Sequence, residues 1–178
     1  MQEFLSSWST GKSILKKYTA YVGADNYEIG RKAGEYIADR LGGKGRVIEI
    51  TGLRGSTPAV ERHRGMMEAL KAVPGVQVVA SAEAGWFRQK AGEVMDTLLD
   101  AHPQVNLVFA QNDRMAIGAY EKARQKNRAG QIAFVGVDAV AGGVESVAEG
   151  KLDATFIYPT GGDKVIQVAM AILRGEPY

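Results

Sequence analysis

The chain of 178 residues contains no cysteine. That excludes disulfides, thiolate nucleophiles and cysteine-bound metal, though it does not fix the compartment. Its two histidines, His63 and His102, stand alone with no ligand-like spacing, so no metal site is expected. No run of about 18 apolar residues exists, so nothing here is expected to span a membrane. Residues 1–18 likewise hold no continuous apolar stretch of the kind a secretion signal needs. Lys and Arg (22) barely outnumber Asp and Glu (20) and are scattered, which argues against a nucleic-acid surface. What is present is ordinary for a globular chain, 46% hydrophobic and 24% charged. The length suits one good-sized domain or one lobe of something larger.

Strand and helix patterns alternate along the chain. Tyr21–Ala24 reads as a short strand, and residues 26–41 as a helix with Ile29, Ala33, Ile37 and Leu41 on one stripe. Gly42-Gly43-Lys44-Gly45 ends it, because glycine takes the left-handed cap conformation cheaply. Residues 46–51 form the next strand. A glycine-rich turn, Gly52–Thr57, then leads into a helix with Pro58 in its first turn that ends by Val73-Pro74-Gly75. Strands follow at 76–81, 107–110, 132–137 and 153–157, and helices at 89–101, from Met115, around 144–149 and at 162–173. Short apolar strands between helices predict an α/β fold: a doubly wound, mainly parallel sheet with helices on both faces. Residues 1–17 show no clear periodicity, and the chain stops soon after a helix.

Two strands end in acceptor-rich side chains. Leu107–Ala110 runs into Gln111, Asn112 and Asp113, and Phe134-Val-Gly-Val runs into Asp138. In open α/β sheets ligands bind at the carboxyl ends of the strands, so these residues suggest a polar cleft. Asn112 could contact a ligand or cap the following helix, while Asp113 reads better as a cap. Asp138 could cap the next helix or accept ligand hydroxyls in the fixed geometry a carboxylate offers. Of Trp86 and Phe87, one is expected to pack inward. The other would be left partly exposed, where a flat ring can stack on an apolar sugar face, unless both anchor the loop. Tyr158, just past the last strand, could touch a ligand or pack at a hinge. Arg62, if buried and reaching the cleft, would be a bidentate donor, whereas Arg64 reads as surface charge.

Catalysis finds little support. No Ser–His–acid set or paired carboxylates can be assembled, so the catalytic list is empty and no cofactor is expected. The Gly52–Thr57 turn could cradle a phosphate on its N–H groups, but it lacks the lysine of a P-loop, and the dinucleotide pattern is absent as well.

In order, these landmarks resemble the type 1 periplasmic binding proteins, the sugar-binding group that includes ribose-binding protein and LacI-type effector domains. They are Gly23-Ala-Asp-Asn26 with Gly30 and Gly34, Gly55-Ser-Thr-Pro-Ala-Val-Glu-Arg-His-Arg-Gly65, Gly85-Trp86, Phe109-Ala-Gln-Asn-Asp-Arg-Met-Ala-Ile-Gly118, Val135-Gly-Val-Asp138 and Gly150-Lys-Leu-Asp-Ala-Thr155. The ending Phe156-Ile-Tyr-Pro-Thr-Gly-Gly-Asp163 is most similar to periplasmic sensor domains of hybrid two-component histidine kinases. The resemblance implies two lobes closing over a sugar. Trp86 would stack on its ring, Asn112 and Asp138 would bond its hydroxyls, and Tyr158 would be a further contact where the family carries glutamine, while Arg62 matches an arginine neighbouring the family's sugar-contacting one. A sugar-contacting arginine of the family aligns with Val60 here. The family's first lobe of about one hundred residues has no counterpart, and its final strand is missing. Accordingly, residues 1–19 stay unassigned, 20–158 match the carboxyl-terminal lobe, and 159–178 are hinge and a helix belonging to the first lobe.

The expected function is therefore ligand sensing by a periplasmic carbohydrate-binding domain, as input to a hybrid two-component histidine kinase. The alternatives are a sugar transporter's solute-binding protein, a LacI-type effector domain and, distantly, an α/β enzyme acting on a nucleotide or sugar phosphate. The expected partners are a small carbohydrate, the missing amino-terminal lobe and, for the full-length sensor, a second copy in a homodimer. Neither nucleic acid nor membrane is expected to be one.

Overall fold

A computed structural model describes residues 8–11 and 19–178. They fall into two compact units. The smaller joins the residues up to Asp25 to Tyr158–Tyr178, and the larger is Asn26–Ile157. In the smaller unit, β1 (Trp8–Gly11) pairs antiparallel with β2 (Tyr21–Ala24), Trp8 facing Ala24. Apart from β1 and Thr19, the unassigned segment 1–19 lies outside the described residues. Trp-Ser-Thr-Gly has no alternation by which to predict a strand, so β1 becomes visible only through its pairing.

The larger unit runs α1 (Asn26–Arg40), β3 (Gly45–Thr51), α2 (Thr57–Leu70), β4 (Val76–Glu83), α3 (Arg88–Ala101), β5 (Leu107–Ala110), α4 (Asp113–Gln125), β6 (Ala133–Asp138), α5 (Ala141–Ala148) and β7 (Ala154–Ile157). The five strands are parallel in the order β4-β3-β5-β6-β7. This is the doubly wound sheet that the alternating pattern predicts. The short helix starts at Ala141 rather than near Val144, because Val140, not a polar residue, stands at its amino end. The smaller unit is completed by α6 (Gly162–Arg174), which lies between two left-handed glycines, Gly161 and Gly175.

Strand alternation sends side chains to opposite faces. Ile48 and Ile50 of β3 join Val108 and Ala110 of β5 in a core closed by Met95 and Leu99 of α3 and by Met115, Ala116 and Ala119 of α4. Val47, Glu49, Leu107 and Phe109 alternate with them and face the other way, and all four are fully buried. There α1 and α2 touch backbone to backbone. A Cβ at Gly30 would sit 2.1 Å from the Arg62 carbonyl oxygen, and one at Gly65 would sit 2.0 Å from that of Tyr27. This approach draws α2 close enough to hold Arg62 inside.

Gly65→Val should therefore push the two helices apart. Removing a helical glycine recovers up to about 1 kcal/mol of propensity, but overpacking at backbone distance costs about 1–3 kcal/mol or more, and the clash should win. The urea midpoint should fall, and an unchanged or raised midpoint would contradict the close contact.

Candidate ligand-binding site

The chain leaving β3 turns outward to β4, whereas the chain leaving β5 turns the other way, to β6. Their carboxyl ends therefore part and leave a crevice at the switch point. Four connections meet there, and Arg62 links them. Its side chain is almost wholly buried. Nε donates to Asn26 Oδ1 at 3.0 Å, and one terminal nitrogen donates to the Gln111 carbonyl oxygen. The same nitrogen lies 3.7 Å from Asp138 Oδ1, and the guanidinium carbon lies 5.8 Å from the Trp86 ring centroid. Arg62 thus reaches the crevice as the sequence suggested. Arg64 is exposed and lies over the Tyr27 ring at 4.7 Å.

Trp86 adopts a positive φ of 76° after Gly85 at φ 60°. Its six-membered ring covers Gly52, where an added Cβ would stand 2.1 Å from the ring. The indole packs against the core while Phe87 is 69% exposed, so the inward and outward aromatics are Trp86 and Phe87 respectively. Trp86 is only half buried and lies near the Arg62 cation, whereas the outward ring, which the sequence reading offered for stacking, is Phe87.

Asn112, not Asp113, is the helix cap. Asn112 has extended backbone and accepts from the Met115 N–H at 2.8 Å. Its amide also donates to the Trp86 carbonyl oxygen at 3.4 Å, and because a side-chain amide carries two N–H donors, donor capacity remains for a ligand. Asp113 is the first residue of the helix and is completely buried. It accepts from the Thr155 hydroxyl at 2.5 Å and from the Val140 N–H at 3.0 Å. Burial raises its pKa, and these hydrogen bonds oppose the rise. A Cβ at Gly136 or Gly143 would strike this carboxylate, so both glycines give it room. The anchoring holds the next loop, where Asp138 (φ 110°) and Ala139 (φ 52°) take strained conformations that cost about 1–3 kcal/mol each.

Asp138 therefore does not cap α5, whose amino-end residue is Val140. Its carboxyl is pushed up to about 6, chiefly by burial. Asp113 adds to the rise, and Arg62 and Arg114 oppose it. Tyr158, half buried just after β7, belongs to the smaller unit.

Behind the crevice lies a layer in which sequence reasoning missed Glu49 and took Gln111 for a cleft-lining group. Gln111 and Glu49 are wholly buried. Gln111 Oε1 accepts from the Gly52 N–H at 2.9 Å, and Nε2 donates to Glu49 Oε1 at 2.9 Å and to the Ala59 carbonyl at 3.0 Å. Glu49 Oε2 takes the Ser81 hydroxyl at 2.8 Å and His63 Nδ1 at 2.7 Å. The glutamate hydrogen bond raises the His63 pKa. One acid inside the apolar run Val47-Ile48-Glu49-Ile50 was the available signal. Three of the turn's N–H groups, which a phosphate would need, are already used within the protein. Gly52 N–H goes to Gln111, Arg54 N–H to Glu83 at 3.2 Å and Ser56 N–H to the Leu53 carbonyl.

Among the described residues no cluster of three or more His, Asp or Glu could hold a metal, and no helix is long and apolar enough to cross a membrane. A cleft wall of one aromatic side chain, one amide, one carboxylate and one buried guanidinium has the chemistry to meet a polar small molecule. The class is thus an α/β binding domain. Residues 10–177 match the periplasmic binding protein domain family, and the chain belongs to it.

The chain is 39% identical over 159 residues to the ribose import binding protein of Salmonella typhimurium, covering 88% of this chain and 53% of that one. It is 32% identical over 137 residues to the D-allose-binding periplasmic protein of Escherichia coli, covering 76% and 44%. Among solved structures, the fructose binding periplasmic domain of a hybrid two component system superposes with a TM-score of 0.87 at 52% identity, covering 93% of this chain and 56% of that one. An ABC transporter solute binding protein from Actinobacillus succinogenes with bound D-allose superposes at 0.84 and 30% identity, covering 89% and 57%. The chain thus spans about half the length of the relatives it matches.

The raised Asp138 carboxyl makes a pH prediction. Between its unfolded value of 3.8 and about 6, the folded chain binds more protons than the unfolded one, so this group costs stability as pH rises through that window. Relative to the parent, Asp138→Asn should gain about 1 kcal/mol on going from pH 4 to pH 7, after discounting for the exposed part of the side chain. Urea titrations at the two pH values measure the difference. A gap that does not change with pH would contradict it.

Proposed function

We propose that this chain is most of one lobe of an extracytoplasmic carbohydrate-binding domain that serves as the sensor input of a hybrid two-component system. The observation that carries the reading is the convergence of Trp86, Asp138 and the Asn112 amide around buried Arg62 at the sheet's switch point. A sugar presents an apolar face to an aromatic ring and hydroxyls to carboxylate and amide, and this wall matches both. The 52% identity to a fructose-binding sensor domain favours sensing. The similarity to ribose import binding proteins keeps a transport role as the second reading. The same kinship supports periplasmic placement.

In this reading Asn26–Ile157 are the carboxyl-terminal lobe, narrower than the 20–158 expected from the sequence because residues 20–25 and Tyr158 fall in the smaller unit, and 159–178 are a hinge and a helix belonging to the other lobe. The exposure of Ile166, Met170 and Leu173 on α6 supports the assignment, since an apolar helix with only Val168 buried calls for further covering structure. Sugar would act as a population shift, favouring the closed arrangement because only there do both lobes touch it.

Half a set of contacts should bind weakly. Calorimetry of the 178-residue chain with D-fructose, D-ribose or D-allose should give dissociation constants of about a millimolar or weaker. Micromolar binding would overturn the half-site reading. In a protein carrying both lobes, Trp86→Ala should weaken sugar binding about tenfold or more, and unchanged affinity would remove Trp86 from the site.

A further inference from the structure

The bonds behind the crevice define a role for a residue that no ligand reaches. Gln111 is the only side chain described here that ties the β3 turn, the β5 end and α2 together, through Gly52, its own backbone and Ala59. Its amide can be seated in one orientation only. The oxygen meets an N–H, and the nitrogen meets two acceptors, the Ala59 carbonyl and Glu49. The Gly52 N–H and the Ala59 carbonyl set which way round the amide lies, and Glu49 Oε1 accepts from the same amide nitrogen and holds it in place. Two consequences reach the crevice. The Gly52 backbone under the Trp86 ring is held by Gln111 Oε1, and the Gln111 carbonyl receives the Arg62 guanidinium.

We infer that Glu49 is a positioning residue for the binding face: acting through Gln111, it sets the seat of Trp86 and the direction of Arg62. The inference rests on the sugar-binding reading for its purpose, but its geometry can be tested without sugar. Glu49 cannot serve as a ligand contact itself, being wholly buried behind Gln111.

The test compares three variants of the 178-residue chain by NMR. Glu49→Gln keeps the shape and replaces one of the two carboxyl oxygens, which meet Gln111, Ser81 and His63, with an amide nitrogen. Gln111→Ala breaks the relay and leaves Glu49 with Ser81 and His63. Ser81→Ala removes a different hydrogen bond from the same carboxylate. The readouts are hydrogen exchange of the Arg62 guanidinium N–H groups, the terminal nitrogen bound to the Gln111 carbonyl included, and the indole resonance of Trp86, with stability measured alongside. Glu49→Gln and Gln111→Ala should speed Arg62 exchange about tenfold or more and shift the indole, while Ser81→Ala stays within about twofold despite its own loss of stability.

Parent-like Arg62 exchange in a folded Glu49→Gln or Gln111→Ala variant overturns the inference. So does an equal effect from Ser81→Ala, and so does failure of both relay variants to fold, since each would make the role one of general core stability. A separate titration of the parent with D-fructose, D-ribose and D-allose bears on function alone. If no sugar shifts any resonance, the sugar reading falls while the Arg62 result still decides the relay.

Discussion

A guanidinium taken out of water must be solvated by the protein, and the binding face is organised around that demand. Burying a cation without partners is prohibitive, so Arg62 draws in the Asn26 side chain, the Gln111 carbonyl and, at longer range, the Asp138 carboxylate. Each partner sits at the end of a different element, and satisfying one charge therefore aligns α1, β5 and β6. The glycine contacts between α1 and α2 belong to the same constraint, because they bring α2 within reach.

The same economy explains the strain. Trp86 and Asp138 take left-handed conformations that cost energy, and each is held by bonds from elsewhere. The Trp86 carbonyl is tied to Asn112, and the Asp138 loop is tied to Asp113 and Thr155. Strain maintained in this way collects at functional positions. Among the described residues Asn127 and Ala139 also have positive φ, and Trp86 and Asp138 are the two of the four that the family resemblance selects as well.

Much of the fold was legible in the sequence because the apolar strands are short and sharply bounded. Leu107–Ala110 ends in three polar residues, and Val135-Gly-Val ends in Asp138, so strand ends and crevice could be read together. The roles within the polar ends were less legible. Asn112 and Asp113 have similar cap preferences, and only the path of the backbone puts the extended conformation at Asn112 and sends Asp113 to a loop far along the chain. Gln111 was read as a strand-end group facing the cleft and Glu49 was passed over, because the bond that joins them spans 62 residues and no local pattern shows the pairing. β1 was invisible for the same reason: strand pairing is a relation between segments.

The central claim is that the carboxyl ends of β3 to β6 form a sugar-binding wall. Backbone amide shifts in an NMR titration of the chain with D-fructose, carried to high concentration, test it most directly. The account predicts that perturbed amides cluster at residues 52–57, 85–88, 111–114 and 138–141. Perturbations confined to the opposite end of the sheet, or none with any of the three sugars, would contradict it.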